Sequence, residues 1–186
     1  MAPDASSDCC WICLGGSEAG PLDRPCSCPR SVHLECLGRW QLQSAGRSEE
    51  HRCRFCSHPL PPLEASLTPS HLAPVAKTVT PYMAIVYGGE QYKIPVRPGP
   101  DGMAEFRARV KCLFGMPYDA EFNVSFECAA PSSGERLTLA GIGAFNAAAH
   151  CAAISAAKRA VGEDGGFEWG PEAPAHRGAA QQGRRC

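Results

Sequence analysis

Four closely spaced pairs of metal-binding residues crowd into residues 10–56: Cys10-x-x-Cys13, Cys26-x-Cys28, His33-x-x-Cys36 and Cys53-x-x-Cys56. One or two residues between ligands bend the chain into a tight knuckle that aims both donor atoms at one metal. Eight ligands supply two four-coordinate sites, so the spacing predicts two structural zinc ions. The region around them is polar and lacks a periodic apolar pattern. A segment of roughly 50 residues with so little core rarely folds without a staple, and a structural zinc supplies roughly 10–16 kcal/mol of folding free energy.

Twelve cysteines in 186 residues would also suit a disulfide scaffold. The leading segment MAPDASSD argues the other way: it is polar and acidic, with neither a basic leader nor an apolar stretch, so no signal peptide is expected. The most apolar run, AAAHCAAISAA (147–157), is short and broken by a histidine, whereas a bilayer span needs about 20 apolar residues. The expectation is a soluble cytoplasmic or nuclear protein with reduced cysteines and no membrane span. A formal net charge of −1 gives no extended basic footprint, so no nucleic-acid partner is expected.

The chain divides into four parts: residues 8–58 form the cysteine-rich finger, and residues 59–79, with prolines at 59, 61, 62, 69 and 74, read as an extended linker. Residues 80–160 read as a compact domain, and residues 161–186 lack periodicity and read as a disordered tail. Within the third part, MAIVYGGEQYKIPV holds two β-rich runs around Gly88-Gly89, a hairpin signal. Met103, Phe106, Val110 and Leu113 then recur at helical spacing, with Asp101 placed to cap the start and Gly115 and Pro117 the stop. Phe122, Val124, Phe126 and Cys128 alternate as in a strand, RLTLAG follows as another, and residues 143–159 form an alanine-dense helix. The predicted fold class is α+β: a small two-zinc finger, a proline-rich linker, and a domain with the order strand, strand, helix, strand, strand, helix. That order, with GGEQYKIPV and LFGMPYDAEFNVSF, resembles a ubiquitin-like β-grasp interaction domain of the Phox-and-Bem type.

The ligand order Cys, Cys, Cys, Cys, His, Cys, Cys, Cys is similar to that of RING-CH (RING-variant) fingers and of PHD fingers. Ile12 stands just before the second ligand, a single residue separates Cys26 from Cys28, and HLECLGRW (33–40) fits H-x-x-C-L-x-x-W. These features resemble the RING-CH type. The resemblance implies an interleaved cross-brace, in which Cys10, Cys13, His33 and Cys36 hold one zinc and Cys26, Cys28, Cys53 and Cys56 the other. It also implies a RING-type ubiquitin ligase whose Ile12 and Trp40 line a shallow groove for a ubiquitin-conjugating enzyme carrying its ubiquitin thioester. No catalytic residue of its own is expected.

Two readings of Trp40 stand at this point, since a tryptophan one helical turn past Cys36 either fills the small core or faces a partner. Arg54 follows the seventh ligand, where RING fingers often have proline, and Ser57 follows the eighth, where they often have a basic residue. The rivals to the ligase are therefore a PHD-like histone-tail reader and a non-enzymatic zinc-finger scaffold. Among the remaining candidates, Cys9 is a weaker ligand than Cys10, because its spacing to Cys13 is three. His51 and His58 are expected in solvent, and Cys112, Cys128 and Cys151 as small buried hydrophobes.

Overall fold

A computed structural model describes residues 9–87 and 89–163. The reading of residues 161–186 as a disordered tail falls almost wholly outside the described residues.

The finger begins with its first knuckle and a minimal two-stranded sheet, β1 (Leu22–Asp23) against β2 (Val32–His33). Helix α1 (Leu34–Gln43) follows directly. It ends at Gln43, where the Ser44 amide closes onto the Trp40 and Gln41 carbonyls. Leu37 faces a small core with Cys10 and Val32, against which Trp11, Ile12, Leu22, Cys36, Trp40 and Leu60 pack.

Leu42 lies on a different side of α1 and belongs to the larger core of the second half. Five residues from Leu37 correspond to about 140° of rotation around the helix, so α1 carries two apolar faces that serve two cores. Full burial of Leu42, at 0% exposure, is worth about 1.5–3 kcal/mol.

Residues 59–79 do not form the extended linker expected from their prolines. They hold α2 (Leu63–Leu67) and α3 (Ala73–Ala76). The prolines punctuate these helices, and Leu63, Leu67 and Leu72 are buried. Burial of three leucines outweighs the stiffness that the composition suggested. Gly38 is what lets α2 approach α1: a Cβ there would sit 2.8 Å from Leu67 Cγ and 2.9 Å from Ser66 Cβ. Buried Gln41, one turn beyond Leu37, donates from Nε2 to the carbonyls of Glu50 and Pro61, both at 2.8 Å. It thereby ties α1 to the approach to the last knuckle and to the start of this segment.

The second half contains hairpin β3 (Tyr82–Tyr87) and β4 (Glu90–Pro95), helix α4 (Pro100–Leu113), hairpin β5 (Ser125–Ala129) and β6 (Arg136–Ala140), and helix α5 (Phe145–Val161). The order is the expected one. Among the described residues, however, the hairpins remain separate two-stranded sheets, so the single sheet of a β-grasp domain is not formed. Both hairpins instead put apolar faces into one core with the helices, where the Phe106, Phe126 and Phe145 rings meet at centroid distances of 5.2–6.3 Å. Phe122 and Val124 pack on this core but precede the strand, and α4 starts one residue ahead of Asp101, with Gly99 at the cap position. Cys128 and Cys151 are buried, whereas Cys112 is exposed, two residues past Val110 and so turned away from the face that Phe106 and Val110 bury.

The finger and the second half meet without a spacer. Gly46 (φ 80°) lies so close to the next backbone that a Cβ would stand 3.0 Å from Ala144 N and 3.0 Å from Gly143 C. Arg39 pairs with Glu135 across the same junction. Both side chains are about half exposed, so the pair orients the two parts more than it stabilises them. Nearby, buried His150 on α5 sits 3.3 Å from Thr68 Oγ1. Burial pushes its imidazole below the ordinary histidine range, and the Glu64 charge opposes this only in part.

Two predictions follow from this junction. Gly46→Ala incurs both a left-handed backbone penalty, about 1–2 kcal/mol, and a backbone clash. Gly134→Ala, at φ 70° with open space around it, incurs only the first. In denaturant unfolding of the zinc-loaded protein, Gly46→Ala loses more stability; equal losses would refute the close approach. His150 binds its proton less readily folded than unfolded, so stability is full above the unfolded histidine pKa of about 6.5 and declines as pH falls through it. The acid loss is smaller in His150→Gln than in wild type, read as the difference between their unfolding midpoints from pH 7.5 to 5.5.

Candidate metal centres and the aromatic rim

The two CxxC knuckles share one backbone design. In the first, the Leu14 amide donates to the Cys10 carbonyl and the Cys10 amide to the Gly15 carbonyl, both at 2.8 Å. In the second, Ser57 donates to Cys53 at 2.8 Å and Cys53 to His58 at 2.9 Å. The residue after each second cysteine is left-handed without being glycine, Leu14 at φ 63° and Ser57 at φ 58°. Such strain is tolerated only where the surroundings impose it. Here it turns the chain back so that the Gly15 and His58 carbonyls reach the Cys10 and Cys53 amides.

Two sets of ligand atoms converge: Cys10, Cys13, His33 and Cys36 form one, and Cys26, Cys28, Cys53 and Cys56 the other, each with its donor atoms within 4.8 Å of one another. The pairs are interleaved, first with third and second with fourth. Cys9 joins neither set, and His51 and His58 are exposed.

The donor chemistry fits zinc. His33 Nε2 donates to the Gly16 carbonyl at 3.1 Å. A carbonyl only accepts, so the ring proton is fixed on Nε2 and the Nδ1 lone pair is left free. Nδ1 faces the sulfurs of Cys13 at 3.4 Å and Cys36 at 3.8 Å. An outer hydrogen bond that selects the ligating nitrogen is the usual arrangement at zinc sites. The thiols are also differentiated. Burial would raise Cys10, but the backbone amides of Cys13, His33 and Ile12 outweigh it and bring the thiol down to about 7. Burial likewise opposes the amides of Phe55 and Cys56 at Cys53, again with a result of about 7. Cys36 is pushed up to about 12 by burial and its Cys13 neighbour, and Cys28 to about 12, chiefly by Cys56. Cys10 in one cluster and Cys53 in the other are thus disposed to ionise, and the thiolate is the form that binds metal. Three thiols and an imidazole, or four thiols, fill a tetrahedral zinc and leave no open position, as structural sites do.

Residues 10–56 match the family model of the RING-variant domain. The match runs from the first ligand to the last. No curated protein and no solved structure matches the chain. Two structural zinc ions in a RING-variant finger are what these two clusters fit. Among the described residues, no helix is long and apolar enough to cross a membrane.

Ile12 and Trp40 both lie half-buried on the rim of the finger core. Trp40 packs part of its ring on that core and leaves part exposed. The sequence offers Trp11 beside Trp40 as an aromatic pair but does not single out Phe55. Trp11 meets Trp40 edge-on at 5.5 Å between centroids and meets Phe55 edge-on at 5.4 Å. Phe55 is 46% exposed, and the Arg30 guanidinium lies over its ring at 4.2 Å. Arg54 stands where a proline was expected, and its guanidinium lies 5.6 Å from the same ring. Phe55, one residue on, is the exposed apolar side chain of this knuckle. The clue was an aromatic residue inside the CRFC knuckle, where side chains point outward.

Elemental analysis checks the ligand set. Wild type and Cys9→Ser hold two zinc ions per chain, while Cys10→Ser and Cys53→Ser each hold fewer and unfold at lower denaturant. A Cys9→Ser protein with reduced zinc, beside a Cys10→Ser protein with two, would reverse the assignment.

Proposed function

We propose that this chain is a RING-type ubiquitin ligase. In this reading Ile12 and Trp40 dock a ubiquitin-conjugating enzyme carrying its ubiquitin thioester. The observation that carries the proposal is a metal-closed finger that keeps two large apolar side chains half-exposed on one small core, beside Trp11 and Phe55. Rigid, partly exposed aromatic and aliphatic side chains suit an interface hot spot, because little entropy is lost when they are covered. The finger supplies no nucleophile. It holds the charged conjugating enzyme so that an incoming amine meets the thioester in a reactive geometry, and the rate gain is one of orientation. The second half serves as the recruiting part. Its direct seating on α1 would hold a bound substrate at a fixed offset from the docking rim.

The test is single-turnover discharge of ubiquitin from a panel of charged conjugating enzymes. Wild type accelerates discharge from at least one of them. Ile12→Ala and Trp40→Ala, each shown to keep two zinc ions, lose roughly thirtyfold of that acceleration, the equivalent of a hot-spot contact of about 2 kcal/mol. No acceleration from any enzyme in the panel by the zinc-loaded wild type would refute the ligase and favour a scaffold, in line with Arg54 and Ser57 standing where proline and a basic residue are usual.

A further inference from the structure

The β3–β4 hairpin has one blunted edge and, on β3, one edge that carries no further backbone hydrogen bond among the described residues, with Ala84 half-buried at its middle. Val96 N–H donates to the Pro81 carbonyl at 3.0 Å, so residues 81 and 96 form a hydrogen-bonded pair. Antiparallel pairs alternate between bonded and non-bonded. In the observed register, 83/94, 85/92 and 87/90 are therefore the bonded pairs. The backbone groups of Tyr82, Ala84 and Val86 then point away from β4, and those of Gln91, Lys93 and Pro95 point away from β3.

The β4 edge is blunted in the usual way, by a proline with no N–H and by a lysine. The β3 edge is not. YMAIVY contains neither proline nor charge, and among the described residues no further hydrogen bond falls on the backbone of Tyr82, Ala84 or Val86. The side chains of these residues stand on the face opposite Met83, Ile85 and Ile94, which pack into the core. Val86 is 68% exposed and Tyr82 is exposed as well. The charge on this face is of one sign: Lys93 Nζ lies 5.2 Å and the Arg159 guanidinium 5.5 Å from the Tyr82 ring, and this face of the hairpin carries no carboxylate.

We infer that the outer edge of β3 is a docking site for an extended acidic peptide of a partner protein, which adds to the hairpin as a third strand. Its backbone pairs with the outward N–H and C=O groups of Tyr82, Ala84 and Val86. Every second side chain then falls on the open face, where carboxylates meet Lys93 and Arg159 beside Tyr82. Main-chain bonds supply affinity in this mode, and the alternating side chains supply selectivity. The inference stands apart from the ligase reading, since the edge lies in the second half and uses no residue of the finger.

The probe is a nonapeptide in which glutamate alternates with valine, titrated into the zinc-loaded full chain and followed by backbone amide NMR. The expected result is shifts and slowed exchange at Tyr82, Ala84 and Val86. Binding weakens about tenfold or more in Lys93→Glu/Arg159→Glu and is lost when lysine replaces glutamate in the peptide. Two further peptides, N-methylated at one or the other set of alternate residues, leave the protein untouched. One keeps binding and the other loses it, because only one edge of an added strand faces β3. Ala84→Pro, which removes an outward N–H and no hairpin bond, also loses binding. The inference is overturned if the β3 amides do not respond at about 1 mM peptide, or if both N-methylated peptides bind alike. It is also overturned if the same amides become protected on raising protein concentration alone, which would make the occupant a second copy of the chain.

Discussion

Interleaving is the constraint on which everything else rests. Had each metal taken two neighbouring pairs, the finger would be two independent loops. With first and third pairs on one metal and second and fourth on the other, neither site closes unless the chain between them is already in place. The apolar core that this encloses is small, essentially Cys10, Val32 and Leu37 with a half-buried fringe. The metals therefore do what a core does in a larger domain. They also explain how Leu14 and Ser57 are held in a backbone conformation that neither would choose.

Helix α1 carries that rigidity outward. It starts on a ligand, His33, contains another, Cys36, and places Leu37 in the finger core and Leu42 in the other. Gln41 secures it from the side through two carbonyls. The rim that carries Ile12 and Trp40 and the surface that meets the second half thus belong to one short rod. The segment that looked like a tether, residues 59–79, instead packs along it through α2 and against α5 through α3. Domain division by composition fails here because prolines and polar residues alternate with three leucines, and the leucines decide.

The parts that could be read in the sequence are those set by local spacing. Ligand identity, hairpins, helices and element order all depend on neighbours a few residues apart, and they reappear with shifts of up to three positions at their ends. The parts that could not be read are long-range. Nothing local shows that Gly38 and Gly46 are sites of backbone approach, or that two hairpins would share helices rather than an edge. Local spacing also gives no sign that Phe55 would join Trp11 beside Trp40. At Cys112 the error was one of phase: a cysteine in an apolar-rich helix was assigned to the core, although Phe106 and Val110 define a face that it does not share.

The shared helix has a consequence for how the molecule is made. The finger is complete once the last ligand, Cys56, leaves the ribosome, and metal can lock it then. Leu42, however, belongs to a core that is completed only when α5 has been synthesised, about a hundred residues later. At about 5–20 residues per second, the core that Leu42 joins stays incomplete for about 5–20 s of synthesis. The nascent chain is most exposed to misassociation in that interval, and α2, which arrives within a few residues of the last ligand and packs along α1 at Gly38, is placed to shield that helix first.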